Sequence, residues 1–149
     1  MLIQEANAYK FDILGILETR LTDTGMNNEN DTSDKSDEIL IVMGDMNAKV
    51  GKGKFDNIMG DHGIHSRNER GDRLIQFYSE EQLNIKNTFF EHPNRRLYTW
   101  KSPGDIRRHQ IGYIMVRHRY ENCIKQCRTY PDTDIESHHN PVISKMKFK

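Results

Sequence analysis

The chain has 149 residues, enough for one domain, and its core must be small because only 35% of residues are hydrophobic while 30% are charged. Lys plus Arg and Asp plus Glu both number 22, so the net charge neither favours nor excludes a nucleic-acid partner. No apolar stretch is long enough to span a bilayer, no signal-peptide pattern opens the chain, and two cysteines make no disulfide framework. We therefore expect a soluble intracellular protein with no membrane association and no disulfide-linked partner.

The first part of the chain predicts a helix end followed by a strand. Residues 1–9 have apolar side chains at helical spacing. Residues 11–17 (FDILGIL) form an apolar run typical of a buried strand, and Glu18 follows it directly. We therefore interpret residues 1–21 as a helix end and a strand that carries a glutamate.

An acidic segment separates this part from the rest of the chain. Residues 22–38 consist mainly of Asp, Asn, Glu, Ser and Thr, with Met26 as their one large apolar residue. A segment of this composition buries too little surface to offset the entropy of ordering it. We therefore predict a flexible linker at 22–38 and a main domain at 39–149.

Residues 39–48 (ILIVMGDMNA) are the most informative stretch of the sequence. An apolar run that ends in turn residues is typical of a buried strand. Because side chains of a strand alternate between faces, Asp45 and Asn47 are expected to point the same way. A carboxylate beside an amide suits work on a phosphate, since the first can move a proton or hold a metal and the second can donate to an anionic oxygen. The same residues are equally compatible with an Asx turn that closes the strand.

The remainder of the chain predicts one helix and several short strands. Apolar residues fall on one broad helical face in 72–83. Short strands are predicted at 97–100 and 110–116, a helical turn at 121–128 and a last strand at 141–149. The mixture of elements indicates the α/β or α+β class.

Six motifs in a fixed order give the chain a likeness to a known family. They are residues 12–20 (DILGILETR), 41–51 (IVMGDMNAKVG), 68–75 (NERGDRLI), 96–103 (RLYTWKSP), 110–114 (QIGYI) and 137–139 (SHH). With them the chain resembles the endonuclease/exonuclease/phosphatase superfamily. It is most similar there to the endonuclease domains of non-LTR retrotransposons, which accompany a reverse transcriptase, and to craniofacial development protein 2-like sequences.

This resemblance implies both a fold and a reaction. The fold would be an α/β two-sheet sandwich that is incomplete, with part of one sheet missing, because several strands of the family have no counterpart here. The reaction would be Mg²⁺-dependent hydrolysis of DNA phosphodiesters, with Mn²⁺ as an alternative metal, and an activity on DNA would place the protein in the nucleus. Carried over residue by residue, Glu18 looks like the metal ligand, and Asp45 like the residue that handles the proton of the nucleophile or leaving group. Asn47 looks like the contact to the scissile phosphate, and His139 like the histidine at the reacting phosphate.

Two departures from the family pattern bear on activity. Gly112 and His138 stand where the family has aspartates. The aspartate at the first of these positions usually orients the catalytic histidine, so His139 is expected to have no carboxylate partner. We therefore expect a truncated fragment of a retroelement endonuclease whose cleavage is weak or absent.

A basic and aromatic stretch supports a second interpretation, a non-catalytic nucleic-acid-binding remnant. Such residues can grip phosphates and stack on bases. An ordinary solvated hairpin with a core-facing tryptophan is the competing interpretation. The residues concerned are Arg96, Tyr98, Trp100, Lys101 and Arg108.

A zinc module is a third interpretation. Cys123 and Cys127 would share one face if their segment were helical, and His138 and His139 would complete four ligands. The spacings match no common zinc pattern well.

Overall fold

The structure is a computed structural model that describes residues 41–131 and 137–147. In these ranges a three-stranded antiparallel sheet has the order β1-β5-β2, and two two-stranded antiparallel sheets pair β3 with β4 and β6 with β7. The fold is therefore a mixture of helix and antiparallel sheets, which confirms the expected class at this level. The elements are β1 (Ile41–Asp45), α1 (Glu69–Glu80), β2 (Leu83–Ile85), β3 (Trp100–Lys101), β4 (Arg108–His109), β5 (Gly112–Arg117), β6 (Ile124–Thr129) and β7 (Val142–Met146).

Helix α1 begins earlier and ends earlier than its apolar spacing predicts. Asn68 is the N-cap residue, and its Oδ1 accepts hydrogen bonds from the backbone N–H of Gly71 at 2.8 Å and of Lys49 at 3.1 Å. The cap sets the start at Glu69, because it satisfies a helix N–H group that would otherwise lack a partner. Leu83 lies in β2 and not in the helix, since a single apolar side chain fits either periodicity.

The main core lies between α1 and the β1-β5-β2 sheet. The burial of apolar side chains between them is the main favourable contribution to folding that the described residues show. The buried members of the cluster are Val50, Ile58, Met59, Ile75, Tyr78, Leu83, Ile85, Tyr113 and Met115.

Strand β5 is the central strand of its sheet, between β1 and β2, and both of its faces are buried. Tyr113 and Met115 belong to the core with α1. Gly112, Ile114 and Val116 alternate to the opposite face and are buried there as well, and β7 makes contacts with β5. The strand is therefore enclosed by further chain on each side.

Strand predictions in the second half of the chain are right in part. The predicted strand at 110–116 is observed as β5 and the one at 141–149 as β7, with residues 148–149 outside the described ranges. Of the strand predicted at 97–100, only Trp100 lies in a strand, β3, while Leu97 and Tyr98 precede that strand and pack with Ile64 in a second small core.

The helical turn predicted at 121–128 is right for residues 121–123 and wrong for the rest. A 3₁₀ helix spans His118–Cys123, and the chain then continues as β6. Buried side chains at Ile124, Cys127 and Thr129 pack as one face of a strand that a bulge shifts by one residue. The bulge breaks strict alternation, which is why the sequence pattern concealed the strand.

Several predictions fall outside the described residues. They are the helix end at 1–9, the strand at 11–17, Glu18 and the linker at 22–38. Within the described ranges, no helix combines the length and apolarity needed to cross a membrane. Cys123 and Cys127 are both free thiols.

The buried phenol of Tyr113 ties the loop after β1 to the start of β5. Its hydroxyl lies 2.9 Å from the carbonyl oxygen of Ala48 and 2.6 Å from that of Gln110, which share its proton, and it accepts the N–H of Val50 at 3.2 Å. Burial raises the pKa of Tyr113, so the hydroxyl keeps the proton that it donates.

We predict that Tyr113→Phe lowers the free energy of unfolding by about 1–3 kcal/mol, because three buried backbone groups lose their common partner. Urea denaturation followed by circular dichroism measures this loss. Tyr78→Phe is the matched control, since Tyr78 is equally buried in the same core and no hydrogen bond of its hydroxyl is seen within the described residues. Equal effects of the two substitutions would contradict the role given to Tyr113.

Candidate active site

Strand β1 ends at Asp45 in a turn that its own carboxylate closes. The N–H of Asn47 donates to Asp45 Oδ1 at 2.8 Å, and Asn47 adopts a left-handed backbone with φ of 47°. This is the Asx turn that the sequence allowed. The expectation that Asp45 and Asn47 share a face of one strand is wrong, because Asn47 lies outside the strand, and the turn brings the two residues together instead.

His139 lies against the second oxygen of the same carboxylate. Its Nδ1 is 3.3 Å from Asp45 Oδ2, and the Asp45 side chain is only 10% exposed, compared with 39% for His139. The expectation that His139 has no carboxylate partner is therefore wrong. Asp45 provides the partner that the residue at position 112 cannot.

Strand β3 holds the histidine segment in place. Trp100 and His139 form an antiparallel bridge, the N–H of Lys101 donates to the carbonyl oxygen of His138 at 2.9 Å, and the N–H of Asn140 donates to that of Thr99 at 2.8 Å. The position of His139 therefore rests on backbone hydrogen bonds on either side of it. His138 itself is exposed.

Gly112 lies directly opposite Asp45 in the β1–β5 register. Opposite residues of an antiparallel pair point to the same face, so a side chain at position 112 would emerge beside the Asp45 carboxylate. A Cβ at this position would lie 3.4 Å from Thr99 Oγ1 and 3.7 Å from the carbonyl oxygen of Gly44, both ordinary contact distances. The backbone therefore has room for the Cβ of a side chain at position 112.

Two buried polar side chains that the sequence analysis did not single out fix the backbone around Gly112. Thr99 Oγ1 accepts the N–H groups of Ile111 and Gly112, each at 2.9 Å. Asn87 donates through Nδ2 to the carbonyl oxygen of Gly112 at 3.1 Å and accepts the N–H of Ile114 at 2.8 Å. Thr99 lies in one of the six motifs, whereas no pattern in the sequence points to Asn87.

Only some of the predicted nucleic-acid contacts have side chains that could reach a ligand. Tyr98 is only 6% exposed and packs in the second core, so its ring is not accessible to a base, and its predicted role is corrected. Arg108 donates through Nε to Asp105 Oδ1 at 2.7 Å and lies over the Tyr98 ring, so a neighbouring carboxylate already neutralises its charge. Arg96 and Lys101 have no salt-bridge partner among the described residues.

Trp100 is half-buried and stacks on His109. The two ring centroids are 5.6 Å apart and the ring planes differ by 4°. Burial, with smaller contributions from Lys49, His65 and Arg107, lowers the pKa of His109, so its ring is neutral near pH 7. The tryptophan therefore presents a stacked, uncharged pair of rings next to His139.

The described residues do not by themselves build a metal site. They contain no group of three or more His, Cys, Asp or Glu side chains arranged to hold an ion. The predicted magnesium ligand, Glu18, lies outside the described ranges. The zinc interpretation loses support in the described region, because burial raises the pKa of Cys127 to about 12 and the thiol is fully enclosed.

We predict that Gly112→Ala changes the free energy of unfolding by less than about 1 kcal/mol, because the added methyl meets only ordinary contacts. Gly71→Ala is the matched comparison, since its Cβ would lie 1.9 Å from the carbonyl oxygen of Lys49. We expect that substitution to cost about 2–3 kcal/mol through overpacking. Thermal and urea denaturation of both variants measure the difference, and a larger loss for Gly112→Ala would show that position 112 cannot hold a side chain.

Comparisons with known proteins identify relatives of the chain by sequence. No family model matches it. Craniofacial development protein 2 of Bos taurus is 42% identical over 112 residues, which cover 75% of this chain and 19% of that protein. Craniofacial development protein 2 of Tragulus javanicus is also 42% identical over 112 residues, with 75% and 20% covered. The chain therefore spans about a fifth of the length of the curated relatives that it matches.

A solved structure has a similar fold. The endonuclease domain of TRAS1, a telomere-specific non-LTR retrotransposon, superposes with a TM-score of 0.51 and 19% sequence identity. The match covers 74% of this chain and 44% of that domain. Together with the sequence relatives, this match confirms the resemblance that the motifs indicated, and at this identity it speaks for the fold alone.

Proposed function

We propose that this chain, a partial homologue of craniofacial development protein 2 with an endonuclease-type fold, is part of a retroelement-derived domain that binds DNA and hydrolyses its phosphodiesters only weakly. We further propose that the fold is a two-sheet sandwich that lacks part of one sheet. It is supported by β5, whose two faces are both buried. Acting on DNA, the protein would work in the nucleus.

The contact between Asp45 and His139 carries the proposal. These residues are far apart in the sequence, yet Nδ1 of the imidazole lies 3.3 Å from Oδ2 of the carboxylate. A carboxylate that holds one ring nitrogen leaves the other, Nε2, to accept or give a proton at a phosphate. Asn47 lies two residues after Asp45 and is exposed, so its amide is free to face an anionic oxygen.

The same contact explains why we expect weak hydrolysis. Asp45 accepts the Asn47 N–H with one oxygen and meets His139 with the other. In the family pattern a second aspartate orients the histidine, and here Gly112 occupies that position. One carboxylate must therefore both orient the imidazole and handle a proton, and a carboxylate engaged in the first task is a poorer base for the second.

Mg²⁺, with Mn²⁺ as an alternative, is the metal that we propose for residual hydrolysis, with Glu18 as its ligand. When bound, such an ion stabilises negative charge on the phosphate and on the leaving oxygen. The proposed roles of Asp45, Asn47 and His139 do not require these residues to bind the ion, and the described residues contain no group arranged to hold one.

We predict that the chain nicks supercoiled plasmid in Mg²⁺ at a rate close to the background of Asp45→Ala. We further predict that Gly112→Asp raises nicking by about tenfold or more, because a second carboxylate then orients His139 and releases Asp45. Gel electrophoresis of the nicked product over time measures both rates.

Gly112→Asn is the matched control for this experiment, since it adds a side chain of similar size without the charge, and it should remain at background. Adding Asp45→Ala to Gly112→Asp should abolish the gain. Efficient nicking by the unmodified chain would contradict the proposed weakness. A Gly112→Asp variant that folds but nicks no faster would contradict its proposed cause.

Binding of nucleic acid without any hydrolysis is the second candidate function. The observation that favours it is the exposed or half-exposed basic side chains near His139, of which Arg96 and Lys101 lack a carboxylate partner among the described residues. DNA affinity that falls with added salt, together with the absence of nicking even by Gly112→Asp, would favour this candidate.

A further inference from the structure

Two arginines converge on one tyrosine at the end of β6. The guanidinium carbon of Arg96 lies 5.2 Å from the centroid of the Tyr130 ring, and that of Arg128 lies 4.8 Å from it. Arg128 also donates through Nε to the Tyr130 hydroxyl oxygen at 3.0 Å, with a second hydrogen bond from Nη2. We refer to Arg96, Arg128 and Tyr130 as the arginine–tyrosine cluster.

The charges of this cluster are not neutralised by the surrounding described residues. Some other arginines face carboxylates, as Arg73 faces Glu69 and Arg108 faces Asp105. Within residues 41–131 and 137–147, no carboxylate lies within salt-bridge distance of either cluster arginine. Two guanidinium groups held on one ring repel each other, so a bound anion would lower the energy of the arrangement.

A neighbouring histidine reports the same positive potential. Burial, followed by the charges of Arg128 and Arg96, lowers the pKa of His92. Its Nε2 is buried and has no hydrogen-bond partner among the described residues. The environment of this ring is therefore cationic and has an unused polar atom.

The cluster lies beside the candidate active site. The N–H of Tyr130 donates to the carbonyl oxygen of Pro141 at 3.0 Å, and Pro141 is two residues after His139. Asn140 Nδ2 donates to the carbonyl oxygen of Tyr98 at 3.2 Å, which connects the same segment to the chain that carries Arg96. A nucleic-acid strand that reaches His139 would therefore pass near the cluster.

We propose that the arginine–tyrosine cluster binds a backbone phosphate of a DNA strand, next to the nucleotide at the Asp45–His139 pair. The choice of DNA as ligand rests on the proposed function, whereas the choice of a phosphate rests on the guanidinium groups. Arginine recognises phosphate oxygens through paired N–H donors, and the Tyr130 hydroxyl fixes the orientation of Arg128 for this purpose. No base is read, so the cluster contributes affinity without sequence preference.

The test measures binding in EDTA, so that hydrolysis plays no part. Fluorescence anisotropy of a labelled single-stranded oligonucleotide gives Kd over a series of salt concentrations. We expect Arg96→Ala and Arg128→Ala each to weaken binding by about tenfold and to reduce the slope of log Kd against log salt by about 0.7. Arg117→Ala is the matched control, because this exposed arginine lies at the opposite end of β5 from Gly112, and it should leave both quantities unchanged.

A second measurement uses the unmodified chain and so does not depend on the folding of variants. Phenylglyoxal modifies accessible arginines, and mass spectrometry locates the modified residues. Bound oligonucleotide should protect Arg96 and Arg128 but not Arg117, whereas inorganic phosphate alone should protect them only at much higher concentration. Equal modification with and without DNA, no binding by the unmodified chain, or cluster variants that bind like the Arg117 control would overturn the proposal. Failure to nick plasmid would leave this result unchanged, so the two proposals fail separately.

Discussion

The antiparallel register between β1 and β5 is the constraint on which the candidate site depends. It sets Asp45 directly opposite Gly112, with both positions facing the same side of the sheet. A side chain at 112 would emerge beside Asp45, whose carboxylate contacts His139. The described carboxylate that contacts His139 therefore comes from the end of β1.

Buried polar groups hold this register in place. Thr99 and Asn87 hydrogen-bond the backbone on either side of Gly112. The Tyr113 hydroxyl connects the loop after β1 to Gln110, two residues before β5 begins. Such groups are costly to bury without partners, so their mutual satisfaction specifies one arrangement of the chain. The site consequently lies at the end of a sheet that buried hydrogen bonds hold in place, and its geometry depends on the stability of the core. Substitutions behind it, as well as within it, will alter its geometry.

The sequence predicted the strand at Asp45, the central strand β5, the last strand and the body of the helix, because apolar periodicity is a local property. It could not predict the pairing of β1 with β5, which depends on residues about 70 positions apart, as in the contact of Asp45 with Gly112. The partner of His139 was missed for the same reason, since the family pattern assigns it to position 112. The bulge in β6 concealed a strand, and the burial of Tyr98 became visible only with Ile64 and Leu97 packed against it.

The tautomer of the His139 ring is the most direct measurement of the Asp45–His139 contact. Long-range ¹H–¹⁵N NMR spectra at a pH where the imidazole is neutral distinguish a proton on Nδ1 from one on Nε2. We predict that the proton resides on Nδ1 in the unmodified chain, where it is donated to Asp45 Oδ2, and that it shifts to Nε2 in Asp45→Ala. A ring protonated on Nε2 in both proteins would show that the carboxylate does not orient the histidine, and would remove the basis for the proposed site.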